Sequence, residues 1–357
     1  MAHDSRRDDY LRMSLRYALS LDESDPGAAA RAFATFGRRL AQDRDSLPQT
    51  DADRAFHLVA RATEILDYRL PFAGDAQVEA LSAQARALLD EAVSLDPGCH
   101  DAVRMRMSCE TGSYEERWRF LSERAEKVRA ACETERDQLC GLLDAARRPL
   151  AASLAMRPWW RWMAEMAECA LVCGRNRESV RVARRLLEAD PGDLSDVRFT
   201  LAYALAKLED EKGLAELVAN YPDPNGLGHP DDAWVMLAQI ALAHGRWDLR
   251  AARELVESLL VSYPGSAGVM VRQMEIADGR FARIRVEEYS EDEMVLALSE
   301  GVVLLQEGVE RSGRGVLGAW LARTVSELRP REVEEFMRAT GGEAAGAGAG
   351  AVGGEVS

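Results

Sequence analysis

Apolar positions in the middle of this chain recur at the spacing of a single helix face. Met163, Met166, Ala167 and Ala170 stand at i, i+3, i+4 and i+7, the stripe of an amphipathic α-helix. Gly174 follows, where a left-handed residue ends a helix at least cost. A second helix then runs to Asp190-Pro191-Gly192, because proline cannot continue the hydrogen-bond ladder. Along it Ser179, Ala183 and Leu186 lie twelve, eight and five residues before Pro191. The template returns at Trp234, Leu237, Ala238 and Ala241, closed by Gly245, with Ala252, Val256 and Leu259 at the same offsets before Pro264. Val197, Thr200, Leu201 and Ala204 open a third copy, with Leu214 and Leu217 ahead of Pro222. Upstream, Ala85, Leu89 and Ala92 precede Pro97. Phe56, Val59, Ala60 and Thr63 predict the first helix of that copy, across a longer loop around Pro71 and Gly74.

These residues resemble the tetratricopeptide repeat, a helix-turn-helix unit of about 34 residues with a W-x2-L-G-x2-Y…A-x3-F…P pattern. Trp234, Leu237 and Ala238 match its opening, and Ala85, Leu89, Ala92 and Pro97 match its second half. The large aromatic of the first helix is replaced by Ala170 in one copy and Ala241 in another. The segment LEADPGDLSDVRFTLAYALAKL is also similar to a sub-family of bacterial repeat proteins with an NPxDxxxVRY junction. The resemblance covers Phe56 to Pro264. It implies an all-α chain, an α-solenoid wound as a right-handed superhelix of tetratricopeptide-like repeats, each contacting only its neighbours.

The expected organisation is an N-terminal helical cap over 1–50, repeats over 51–264, a C-terminal helical region over 265–340 and a flexible tail over 341–357. The cap holds helices over 7–21 and 27–44, with Pro26 where a first-turn proline is tolerated. Ser113 with Glu116, and Ser290 with Glu293, are capping boxes. The first opens a helix carrying Tyr114, Trp118, Leu121, Ala125 and Val128 on one side and running past Cys132; the second opens a helix ending near Gly308. Between Pro149 and Pro158 the chain is a short helix or an irregular spacer. Past Pro264, short helices over 267–276, 315–328 and 331–339 are expected, while Phe281 to Tyr289 has no clear period. The tail GGEAAGAGAGAVGGEVS has too little apolar bulk to fold.

Composition agrees with helices. Hydrophobic residues make up 47% of the chain and aromatics only 6%, and no stretch alternates apolar and polar residues with β-branched enrichment, so no sheet is expected. A net charge of −15 opposes binding to polyphosphate. No apolar run approaches the length of a membrane span, and MAHDSRRDDYLRMS lacks the apolar centre of a signal peptide. Six scattered cysteines without a C-x-x-C fit a reduced, cytoplasmic protein.

Candidate chemistry is sparse. His57 and His100-Asp101 superficially match a metal-dependent phosphohydrolase pattern, but His100-Asp101 falls in the turn after Pro97, where polar residues are expected anyway. Cys169 and Cys173 share a helix face and supply only half of a closed zinc site; core packing is the expected role. No phosphate loop, H-E-x-x-H, nucleophile elbow or dinucleotide turn is present, so no catalytic residue, cofactor or metal is assigned. The tryptophans of Pro158-Trp159-Trp160-Arg161-Trp162 are either binding anchors or filling for a wide gap. Nine arginines against three glutamates between Arg147 and Arg185, and five acids between Glu287 and Glu293, are either solvated faces or complementary patches.

In the resemblance, a concave groove is lined by the first helix of each repeat. Its positions fall here on Arg161, Ala164, Glu168 and Leu171; on Ser195, Arg198, Ala202 and Leu205; and on Asp232, Val235, Gln239 and Leu242. Arg161, Glu168, Arg198 and Gln239 are the expected polar contacts to a partner segment with apolar side chains and one carboxylate, acidic or C-terminal, which a guanidinium grips with two hydrogen bonds. Arg198 has a second reading, pairing with Asp193 or Asp196 at a repeat junction. The lysines and asparagines of a chaperone-type carboxylate clamp are missing from these positions. The expected function is therefore an adaptor for another protein, with no nucleic-acid or membrane partner. The alternatives are an enzyme or small-molecule sensor with a pocket near 278–290, and a structural homo-oligomeric scaffold.

Overall fold

A computed structural model describes residues 4–21, 26–220, 231–276, 284, 286–308 and 315–347, and every regular element among them is helical. Contacts gather the chain into two units. One comprises residues 1–173, 181–197 and 282–284; the other comprises 174–180, 198–281 and 285–357.

The first unit is built from α1 (Ser5–Leu19), α2 (Pro26–Gln42), α3 (Asp51–Thr63), α4 (Asp75–Leu95), α5 (His100–Glu110), α6 (Tyr114–Leu142), α7 (Arg148–Val172) and most of α8 (Asn176–Ala189). Thr50 and Asp53 cap α3 reciprocally. The helix passes into a π-helical turn, Glu64–Arg69, and a 3-10 turn, Leu70–Phe72, that contains Pro71. Phe56, Val59 and Ile65 on this stretch pack against Ala85, Leu89 and Ala92 of α4 and Ala102 of α5. Tyr10 and Tyr17 of α1 meet the aromatic side chains of α2, with Tyr17 and Phe36 stacked at 5.2 Å.

Arg148 to Val172 is one continuous helix, so the stretch between Pro149 and Pro158 is neither a short helix nor a spacer. Pro149 sits in the first turn, where its missing N–H costs nothing. Pro158 lies in the interior and deprives the Leu154 carbonyl of its i+4 donor. Arg12 of α1 supplies the replacement: its Nη2 donates to the Leu154 oxygen at 3.1 Å. The helix packs along α6. The Trp162 indole N–H donates to the Leu121 carbonyl at 2.9 Å, and Leu121, Ala125, Val128 and Cys132 form the buried face of α6. Trp159, Trp160 and Trp162 are all buried, which decides for gap filling.

The second unit contains α9 (Val197–Lys207), α10 (Glu211–Ala219), α11 (Ala233–Gly245), α12 (Leu249–Ser262), α13 (Ala267–Val271), α14 (Glu291–Glu300), α15 (Val302–Leu305), α16 (Val316–Leu328) and α17 (Pro330–Ala347). The hairpin of α11 and α12 buries Trp234, Leu237 and Ala238 on one arm and Ala252, Val256 and Leu259 on the other, the positions the template marks. Trp234 stacks on Phe199 at 4.0 Å and donates from its indole to buried Glu300 at 2.8 Å. The helix expected from Ser290 to Gly308 breaks at Gly301, where an added Cβ would meet the Ala297 carbonyl at 2.8 Å. That carbonyl accepts from both the Gly301 N–H and the Tyr203 hydroxyl. Ser290 caps α14 as expected, whereas Glu293 accepts from the Tyr289 N–H and the Tyr263 hydroxyl. The last helix runs to Ala347, into the stretch expected to be flexible. Pro222, Asp278-Gly279 and, within Phe281 to Tyr289, residues 281–283 and 285 lie outside the described residues.

Candidate functional site

Arg161 stands at the centre of a buried chain of alternating charges in the first unit. Its Nε donates to Asp101 at 2.7 Å and its Nη1 to Asp8 at 2.9 Å. Asp8 also receives Arg157, and Asp101 receives Arg104, which in turn pairs with Glu165. Arg12 and Arg161 lie over the Phe56 ring at 4.3 and 5.7 Å. The two-pronged partner expected for Arg161 is thus supplied within the chain by Asp101. Asp67, on the π-helical turn, lies near this network, and burial pushes its carboxyl up to about 6 against the pull of Arg104, with Glu165 adding to the rise. Buried ion chains of this kind hold a fold in register because removing one member strands the others.

The other expected contacts are dispersed between the units. Glu168 is half-buried on α7, and Gln239 is half-buried on α11. Arg198 is buried, with its guanidinium 4.1 Å above the Phe199 ring. It lies near Asp232, whose carboxyl burial pushes up to about 7 although it caps α11. The expected groove floor, Ala164, Leu171, Ala202, Leu205, Val235 and Leu242, is buried throughout. Part of the basic stretch is neutralised in the chain: Arg147 pairs with Asp144 and Arg185 with Glu126. His57 bonds Asp9 through Nδ1 at 2.8 Å, while His100 stands edge-on to Trp162. Among the described residues no group of three His, Cys, Asp or Glu side chains is placed to hold a metal.

Open space lies elsewhere in the second unit. A cleft of about 540 Å³ is bounded by the ends of α9 and α11, the turns after them, α15 and α16, within the size range of ligand pockets. Ala206, Ala241, Leu304 and Leu317 give it an apolar floor, and His244, Trp247, Trp320 and Leu249 give it aromatic and aliphatic walls. The His244 and Trp320 rings stand 5.0 Å apart. Lys207 is engaged by Glu307 at 2.7 Å and by the Val303 carbonyl. Arg323 and Glu209 also line it.

The two turns at the rim share one geometry. After α9, the Asp210 N–H bonds the Leu205 carbonyl, Glu209 is left-handed at φ 54°, and Asp210 caps α10. After α11, the Asp248 N–H bonds the Ala243 carbonyl, Trp247 is left-handed at φ 62°, and Asp248 caps α12. Such turns prefer glycine at the left-handed position, as Gly174 shows at φ 72°. A side chain there costs about 1–2 kcal/mol. Trp247 offsets none of that by packing, since it is 82% exposed.

No protein-family model, curated protein or solved structure matches this chain. An exposed indole thus stands on a strained turn beside an apolar cleft with a half-buried imidazole. The sequence carried part of the signal in Gly245-Arg246-Trp247-Asp248. A local reading assigns the left-handed position to Gly245, which is the last helical residue instead. The opposite wall, on α15 and α16, lies beyond the repeat template.

Proposed function

We propose that this chain is an adaptor, an α-solenoid of tetratricopeptide-like hairpins whose second unit receives a segment of another protein in the cleft beside Trp247. The observation that carries the reading is the exposed Trp247 indole, held at φ 62° on the rim. Rigid, amphipathic aromatic side chains of this kind dominate protein interfaces. Recurrence of the hairpin template along the chain supports the solenoid, and the paired turns with non-glycine left-handed residues support a rim built for contact. Partner contact moves accordingly from Arg161 and Arg198 to the turn edge of the second unit.

The test is selection from a displayed random-peptide library on the full chain and on Trp247→Gly, a substitution that suits the turn backbone. The wild type is expected to enrich a shared motif that the variant does not. Equal enrichment of the same sequences by both proteins, or no enrichment by the wild type, refutes the reading.

A further inference from the structure

We infer that the cleft is also a self-association site: two copies of this chain pair about a twofold axis, the Trp247 indole of each entering the cleft of the other. Plug and socket lie side by side on the second unit, since Trp247 itself lines the cleft. A twofold pairing needs that adjacency, because one patch must serve as both halves of the contact. The indole stays out of its own core at 82% exposure, on a turn that holds it at φ 62°. A cleft of about 540 Å³ is large enough to take an indole on the apolar floor of Ala206, Ala241, Leu304 and Leu317. The second copy thereby completes a site that one copy leaves open. The inference goes beyond the adaptor reading and stands or falls separately from it.

Charge leaves this patch free to meet its own copy. The chain carries a net −15, which sets identical copies against one another. The cleft departs from that excess: its charged lining is two bases, Lys207 and Arg323, and two acids, Glu209 and Glu307. Beside the indole, Arg246 pairs with Glu211, and Asp248 accepts the Ala251 N–H as the cap of α12. Area sets the strength. An indole covers about 150–200 Å², so two of them and the walls they meet remove about 600–800 Å² from water. Leu249 and Val316, both exposed and both lining the cleft, extend the contact. Over the two copies the total is about 1,000 Å², the lower bound for a specific interface. The pair is therefore weak, with dissociation in the micromolar range. A partner segment and a second copy exclude one another, so self-pairing covers the indole only while the partner is absent.

Sedimentation velocity of the full chain from about 0.5 to about 200 μM brackets micromolar dissociation and tests the pairing. The mass is expected to rise from 39.4 kDa to twice that value and to stop there. Trp247→Gly, which suits the turn backbone, is expected to weaken the pair by at least about tenfold. Ala241→Arg, which fills the floor, is expected to do the same. An equimolar mixture of the two variants should pair more strongly than either alone, because one indole still finds one open cleft. A 39.4 kDa species at every concentration, growth past two copies, or self-association unchanged in Trp247→Gly overturns the inference and leaves the adaptor reading intact. A mixture of two folded variants that pairs no better than either alone overturns it as well. If circular dichroism shows that Ala241→Arg does not fold, the concentration series of wild type and Trp247→Gly decides alone. Failure of the library selection with nanomolar chain, where the copies are separate, overturns the adaptor reading and leaves the pairing standing.

Discussion

Replacing Pro158 by alanine tests whether Arg12 is the surrogate donor that lets α7 run through a proline. Alanine restores an N–H aimed at the Leu154 carbonyl and removes the ring clash with the preceding turn. In the wild type that carbonyl, on a residue buried in the core, depends on Arg12 Nη2 at 3.1 Å. A hydrogen bond from a charged donor contributes about 1.5–3 kcal/mol, and stranding a buried acceptor costs about 1–3 kcal/mol. Arg12 also lies over the Phe56 ring and approaches Glu135 at 3.9 Å, contacts that Pro158→Ala leaves in place. Arg12→Met should therefore cost about 2–4 kcal/mol in the wild type and about 1–2 kcal/mol less in the Pro158→Ala background. Urea unfolding of the four proteins, followed by helical circular dichroism and compared at equal m, measures this coupling. Additivity of the two substitutions to within about 0.5 kcal/mol would refute the surrogate role and leave Arg12 a packing residue.

Other outcomes follow from the same structure. Asp67→Asn should stabilise the first unit at neutral pH. A carboxyl raised from 3.8 to about 6 in the fold binds its proton more tightly there than in the unfolded chain, so its contribution is complete below pH 4 and is lost as pH rises through 6. Two units of pKa correspond to about 3 kcal/mol, discounted to about 1–3 kcal/mol for partial exposure. The variant's stability should change less than that of the wild type between pH 4 and 7, and identical pH profiles would contradict the assignment. Arg161→Leu should cost about 3–5 kcal/mol by stranding Asp8 and Asp101, a loss read by thermal unfolding; a cost below 1 kcal/mol would contradict it. Trp247→Gly should leave stability unchanged or raise it by about 1 kcal/mol, because relief of the left-handed strain is partly offset by glycine's freedom when unfolded. A clear loss of stability would show that the indole packs after all. Gly268→Ala should destabilise the second unit by about 1–3 kcal/mol, since its new methyl group would enter the Phe336 ring, and calorimetry reads the loss.

The helical character and several helix ends were legible because their signals are local. Asp190-Pro191-Gly192 stops α8, and Ser113 and Ser290 cap the helices that follow them. Buried stripes such as Ala85, Leu89 and Ala92 were legible for the same reason, as period alone identifies a covered face. What escaped depends on distant partners. Nothing near Pro158 shows that an arginine 142 residues earlier in sequence than Leu154 will replace the missing donor. A helical wheel places Arg161 on a face but leaves undetermined whether that face meets solvent or the carboxylates of Asp8 and Asp101. The cleft required α15 and α16 opposite the repeat hairpins, and no periodicity links those segments to Trp247.

The ion chain around Arg161 also bears on the order in which the first unit can assemble. Asp8 bonds a side chain 153 residues further along. At a synthesis rate of about 5–20 residues per second, the ribosome needs roughly 8–30 s to deliver it. Throughout that interval the Asp8 carboxylate remains hydrated, while α3 and α4, adjacent in sequence, have both halves of their shared core in hand. α1 can thus dock on α2 and α3 early, through Tyr17 on Phe36 and Asp9 on Arg44 and His57, while its Asp8 carboxylate is held only after α7 has emerged.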